Sequence, residues 1–191
     1  TTGAQTYNDN VTLGANTALS ATTTTFNGTV AGGGFNLGLT GNAVFGDATT
    51  DTVTGLGTLA VSGTTTINTA TVTSAGTQTY NGAVTLGADT TLTTTDSTVL
   101  FSSTVDSTGG ARDLTVSAGT GAITFTGAVG GTAALDALAL NSTGTTTLTA
   151  AVTAGSLATN AGGTTAINGG AVTTTGAQTY NDNVTLGANT A

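Results

Sequence analysis

Along most of the chain apolar and polar positions alternate singly, as in Val11-Thr-Leu13, Leu114-Thr-Val116, Ile123-Thr-Phe125 and Leu138-Ala-Leu140. A two-residue period sends successive side chains to opposite faces, so these segments read as strands, apolar on one side and Thr or Ala on the other. They are short, and G-G, N-G, D-S and T-G pairs between them supply turn chemistry. Residues 131–140 would also fit a helical turn, but the Leu138/Leu140 alternation assigns them to a strand. With no Glu, Lys or Met and only three Gln, the chain lacks the residues from which long helices are made.

Above the alternation sits a longer period. Residues 1–18, TTGAQTYNDNVTLGANTA, recur letter for letter at 174–191, and a third version, SAGTQTYNGAVTLGADTT at 74–91, matches the first at 11 of 18 positions. All three Gln (Gln5, Gln78, Gln178) and all three Tyr (Tyr7, Tyr80, Tyr180) lie in these copies, in the same Q-T-Y-N string. The chain reads as one super-repeat, 1–173, made of sub-units 1–73 and 74–173, with 174–191 opening the next. That arrangement, and the lack of an initiator Met or signal peptide, leads to the expectation of a segment from a longer parent with further copies.

A finer mark is a large apolar residue followed four positions later by Val: Tyr7/Val11, Phe26/Val30, Tyr80/Val84, Phe101/Val105, Phe125/Val129, Leu148/Val152 and Tyr180/Val184. Ile67/Val72 and Ile167/Val172 are five-residue variants, and Phe45 stands without its Val. The steps between successive marks are, in order, 19, 19, 22, 13, 21, 24, 23, 19 and 13. A unit of this size cannot bury an apolar face alone, so neighbouring units must stack. The expectation is all-β: a parallel β-helix (β-solenoid) of about 19–24 residues per coil, each mark pointing inward. Nine coils per super-repeat would advance the axis by roughly 43 Å at a strand spacing of about 4.8 Å. The two short steps fit poorly, and Ile67 and Ile167 are candidates for secondary marks inside longer coils.

Composition narrows the chemistry. Thr, Gly and Ala number 53, 30 and 30 of 191 residues, and Pro, Cys, Met, Trp, His, Lys and Glu are absent. Without His or Cys there is no zinc site of the usual type, no Ser-His-Asp or Cys-His pair and no thiol centre. Without Lys there is no Schiff base or P-loop. One base, Arg112, against nine Asp gives a net charge of -8, which provides no basic footprint for nucleic acid or anionic lipid. No apolar run approaches the length of a membrane helix. A positive mean hydropathy of +0.23 and regularly placed Phe, Val and Leu argue against a disordered tract. The finer period and the lack of Trp and Cys argue against stacked immunoglobulin-like sandwiches.

The strings QTYNGAVTLGADTT at 78–91, VLFSSTVD at 99–106 and ITFTGAVGG at 123–131 resemble the repeat regions of filamentous-haemagglutinin-like bacterial surface proteins, many of them two-partner-secreted or autotransported. The resemblance covers essentially the whole chain. It implies a right-handed parallel β-helix, export across the outer membrane and a role as a long adhesive or structural filament.

Candidate sites are few. Gly55-Leu-Gly57-Thr-Leu-Ala60 has the letters of a dinucleotide fingerprint but no helix pattern after it, and the next acid is Asp89, so turn glycines explain it. Asp47 with Asp51, and Asp106 with Asp113, leave calcium as the one conceivable ion, though no calcium-loop motif occurs. Arg112-Asp113 reads as an exposed turn pair of small energetic weight. Adjacent-coil carboxylates raise a carbohydrate-active β-helix enzyme as an alternative, which would need two of them at a set separation. Threonine runs at 22–25, 64–66, 93–95, 145–147 and 173–175 raise an ice-binding solenoid. They recur at unequal intervals, without the regularity such a face requires. Asn-x-Thr/Ser triplets at Asn10, Asn27, Asn141 and Asn183 are no more frequent than composition gives. In the Q-T-Y-N string Gln and Tyr share a face, which favours packing and amide bonding near a coil corner over ligand binding.

The expected protein is therefore non-enzymatic, without catalytic, cofactor-binding or metal residues. It is a stalk, fibre or sheath element of an extracellular or cell-surface filament. Its expected partners are further repeats of the same chain, lateral or end-to-end copies, and surface or carbohydrate receptors engaged through other regions.

Overall fold

A computed structural model describes residues 1–187. Twenty-three strands run from Gln5–Tyr7 to Asn183–Leu186, and no helix occurs among the described residues. Every named strand pairing is parallel and joins residues about one coil apart, as in Tyr7↔Phe26, Phe45↔Ile67 and Val105↔Val129. The chain is a β-solenoid of about nine turns, with coils of the expected size.

The register defines three faces. On the first lie Gln5–Tyr7, Thr65–Ile67, Val84–Leu86 and Val105–Ser107. On the second lie Val30–Ala31, Thr71–Ser74, Thr90–Thr94 and Leu114–Gly119. On the third lie Leu59–Val61, Gln78–Tyr80, Val99–Phe101, Ile123–Phe125 and Thr164–Ile167. The longer strands Thr17–Phe26 and Leu37–Phe45 bend from the third face onto the first, so these two faces join into one hydrogen-bonded sheet at that level. Of residues 131–140, those from Leu135 onward form a strand, Leu135–Ser142, and 131–134 are an irregular lead-in to it.

Alternation places one apolar side chain or more per strand in the interior, as with Leu59 and Val61 or Ile123 and Phe125, and the columns continue from coil to coil. The second face contributes Val30, Val53, Val72, Leu92, Val116 and Leu140; the third contributes Leu39, Val61, Tyr80, Phe101, Phe125, Leu148 and Ile167. All are essentially buried and belong to a single core. No coil could hold these residues out of water alone, so burial and stacking are the same event.

The structure explains the two short steps between marks. Tyr7, Phe26, Phe45 and Ile67 close strands of the first face, whereas Tyr80, Phe101, Phe125, Leu148 and Ile167 close strands of the third. Ile67 to Tyr80 is therefore two faces, not a coil. The step from Ile167 to Tyr180 is likewise two faces, since Gln178–Thr179 pairs with Leu157 and Ala158 on the second face. The nine marks of one super-repeat are seven whole coils and two pieces of two-thirds each, eight and one-third coils in all. This corrects the expectation of nine coils: Ile67 and Ile167 are full inward marks at which the pattern changes corner.

Candidate functional site

Tyr80 and Gln78 point inward from the same strand, two residues apart. The Tyr80 hydroxyl donates to Gln78 Oε1 at 3.0 Å, and Gln78 Nε2 donates to the carbonyls of Val72 at 3.3 Å and Thr93 at 3.0 Å. Val72 and Thr93 lie on the second face in adjacent coils, so one amide joins two levels of the stack from across the corner. Both side chains are fully buried. Asn81, the last letter of the string, donates from Nδ2 to the Val61 carbonyl one coil earlier at 3.2 Å.

The other copies repeat the Tyr-to-Gln bond at half-buried or exposed positions, with one carbonyl partner for each Gln amide. Tyr180 donates to Gln178 Oε1 at 3.1 Å, Gln178 Nε2 to Val172 O at 3.0 Å, and Asn181 Nδ2 to Thr159 O at 2.7 Å. Tyr7 donates to Gln5 Oε1 at 3.3 Å, and Gln5 Nε2 to Ser20 O, which stands as far along the chain from Gln5 as Thr93 does from Gln78. Q-T-Y-N is thus a clasp in which every strong donor and acceptor of the buried pair has a partner, as burial demands. Burial pushes the Tyr80 phenol well above its ordinary value, and raises Tyr180 in the same direction.

Two of the clasps open aromatic ladders. Tyr7, Phe26 and Phe45 stack on the first face with centroids 5.1 and 5.8 Å apart; Tyr80, Phe101 and Phe125 stack on the third at 5.2 and 4.5 Å. Successive rings are within 11° of parallel. Such pairs add about 0.5–1.5 kcal/mol each beyond the area they bury.

Most of the acids lie at the corners, whereas Asp106 and Asp136 lie within strands. Asp51 Oδ2 accepts the N–H groups of Asp47 and Ala48, closing a local turn. Asp106 Oδ1 accepts from Thr132 N and Ala133 N, and Asp113 Oδ1 from Ala137 N at 2.9 Å. Asp89 and Asp96 cap Asp113 N and Thr120 N in the next coil, as Asn10 and Asn42 cap Thr29 N and Thr64 N. Among the described residues no three acids gather in a metal-holding group. Arg112 Nε donates to the Thr108 carbonyl at 3.4 Å. Gly55 sits at positive φ beside a register shift, and Leu59–Val61, a strand, follows it.

Two surface features escaped the sequence. Thr71/Thr73, Thr91/Thr93 and Thr115/Ser117 form in-register pairs on three successive coils of the second face. Beside them Gly34, Gly55, Leu56, Ala75 and Thr95 help line a shallow trough of about 410 Å³. Thr71, Thr73 and Thr115 belong to no run of three, so counting runs could not reveal the pairs.

No family model matches the chain, nor does any curated protein or solved structure. Fold and site together define a class, the β-solenoids, in which the most specific sequence element serves the contact between coils.

Proposed function

We propose that this chain is a structural repeat segment of a long secreted or cell-surface filament or adhesin, working as a stalk, fibre or sheath element. The carrying observation is the use made of the repeated string. Q-T-Y-N recurs on the first, third and second faces in turn, and in each place its side chains bond neighbouring coils. A ligand site would need its residues at one location; a stacking device works on any face. The uninterrupted core agrees with that reading, and the resemblance to filamentous-haemagglutinin-like repeats supports export.

Electron microscopy of the purified protein provides the test. Narrow particles with nine turns spaced by about 4.8 Å would be roughly 43 Å long, and tandem copies would extend as unbranched rods. Globular particles, or tandem copies that condense into beads, would overturn the proposal.

A further inference from the structure

We infer that the Q-T-Y-N clasps are arrest points, rungs at which mechanical unzipping of the solenoid pauses. This rests on the filament reading, for only a load-bearing rod has use for them.

Separating any two coils breaks ladder hydrogen bonds at the solenoid's edge, where water replaces them rung by rung. The Gln78 coil adds bonds of another kind. Its amide ties Val72 O to Thr93 O inside the core, and the Tyr80 hydroxyl saturates the remaining acceptor, with both side chains at 0% exposure. Peeling the Thr93 strand away takes one acceptor from the buried Gln78 amide, which keeps only the longer bond to Val72 O, before water can reach it, and this raises the barrier for that rung. The same rung begins the Tyr80–Phe101–Phe125 stack, whose closest rings are 4.5 Å apart. By contrast, at the level of Leu138, Leu140 and Leu148 the interior is aliphatic, and the buried Ser142 there donates to the Gly121 carbonyl and accepts from Gly144 N. In a stack whose stability is a sum of local terms, clasp rungs divide the rod into segments that open separately.

The clasps also take the three sides in turn. Gln5 stands on the first face, Gln78 on the third and Gln178 on the second. From one to the next the chain advances three and two-thirds coils, then four and two-thirds, and each displaces the clasp by one face in the same sense. Gln5 bonds Ser20 O in the next coil, and at the last copy Gln178 bonds Val172 O within its own coil while Asn181 reaches Thr159 O in the preceding one, so each side of the solenoid carries a string with an inter-coil bond.

Force spectroscopy on the full chain, pulled from its two ends, reads this directly. The extension trace of the wild-type chain should pause when the Gln78 coil is reached, with a dwell at least tenfold longer than at coils near Leu140. Q78L/Y80F, which keeps the core apolar and filled, should erase that pause and leave the rest of the trace unchanged; far-UV circular dichroism confirms that the variant is folded. Evenly spaced steps in the wild type, or a pause that survives in Q78L/Y80F, would overturn the inference. Neither result bears on whether the particles are rods, which microscopy decides.

Discussion

The Tyr80 hydroxyl donates to Gln78 Oε1 across 3.0 Å in an interior that neither side chain shares with solvent. Q78L therefore does more than remove one bond. It strands the Tyr80 phenol and two carbonyls, and should lower stability by about 2–4 kcal/mol. Adding Y80F removes the orphaned hydroxyl and should recover about 1–2 kcal/mol of the loss. Chemical denaturation of both singles and the double closes the cycle; strict additivity would mean that the two residues do not act as a pair.

The same burial sets an alkaline limit. Tyr80 holds its proton in the folded state far above the ordinary phenol value, while in the unfolded chain it releases it near pH 10. Its contribution is complete below pH 10 and is lost as pH rises beyond, by roughly 1.4 kcal/mol per pH unit. No side chain present has an ordinary pKa between 5 and 9, so stability should be flat there and fall above pH 10. In Y80F the alkaline fall should be shallower, which thermal melts from pH 7 to 12 would measure.

Among the described residues, two hydroxyls are buried without partners. Thr24 Oγ1 and Thr65 Oγ1 lie in the interior column of the first face on either side of Ala43. T24V and T65V keep the shape and remove an unmet hydrogen bond, so each should raise stability by about 1 kcal/mol. A lower melting temperature in either variant would indicate a buried water bonded to the hydroxyl.

Gly41 turns the corner between the third and first faces at φ 106. A Cβ there would fall inside the contact radius of the Ala21 carbonyl oxygen in the preceding coil. G41A should cost about 3 kcal/mol or more through strain and collision. Gly38, three residues earlier, has no neighbour closer than Thr17 O at 3.9 Å, and G38A should change stability by less than about 1 kcal/mol. Equal effects at the two sites in denaturation experiments would remove the corner geometry as the cause.

Which features are legible in the letters follows from what each depends on. Strands, coil size and inward marks depend on local alternation and on a mark that returns once per coil, and Phe101 with Val105 announces both. That Gln78 and Tyr80 share a face is equally plain from their separation by two. The reach of Gln78 to Val72 and Thr93 is not, because it depends on which strand of the next coil comes alongside, and coils vary in length. For the same reason Thr71, Thr91 and Thr115 become a column only once the register is known, since the intervals between them are unequal. The number of faces is hidden too: a mark that stays at one corner for several coils and then moves gives the same letters as one that never moves, apart from a single short step.

The corners are not equally constrained. From third face to first the chain takes four residues in coil after coil, as from Val61 to Thr65, Tyr80 to Val84, Phe101 to Val105 and Phe125 to Val129. From first to second it takes four between Phe26 and Val30 but eight between Phe45 and Val53, and the longer excursion is folded on itself by Asp51. Extra length is stored along one edge while the axial rise stays that of the ladder. A peptide inserted after Phe45 would hang from that edge without shifting any rung, so length added at this corner leaves the axial spacing of the coils unchanged.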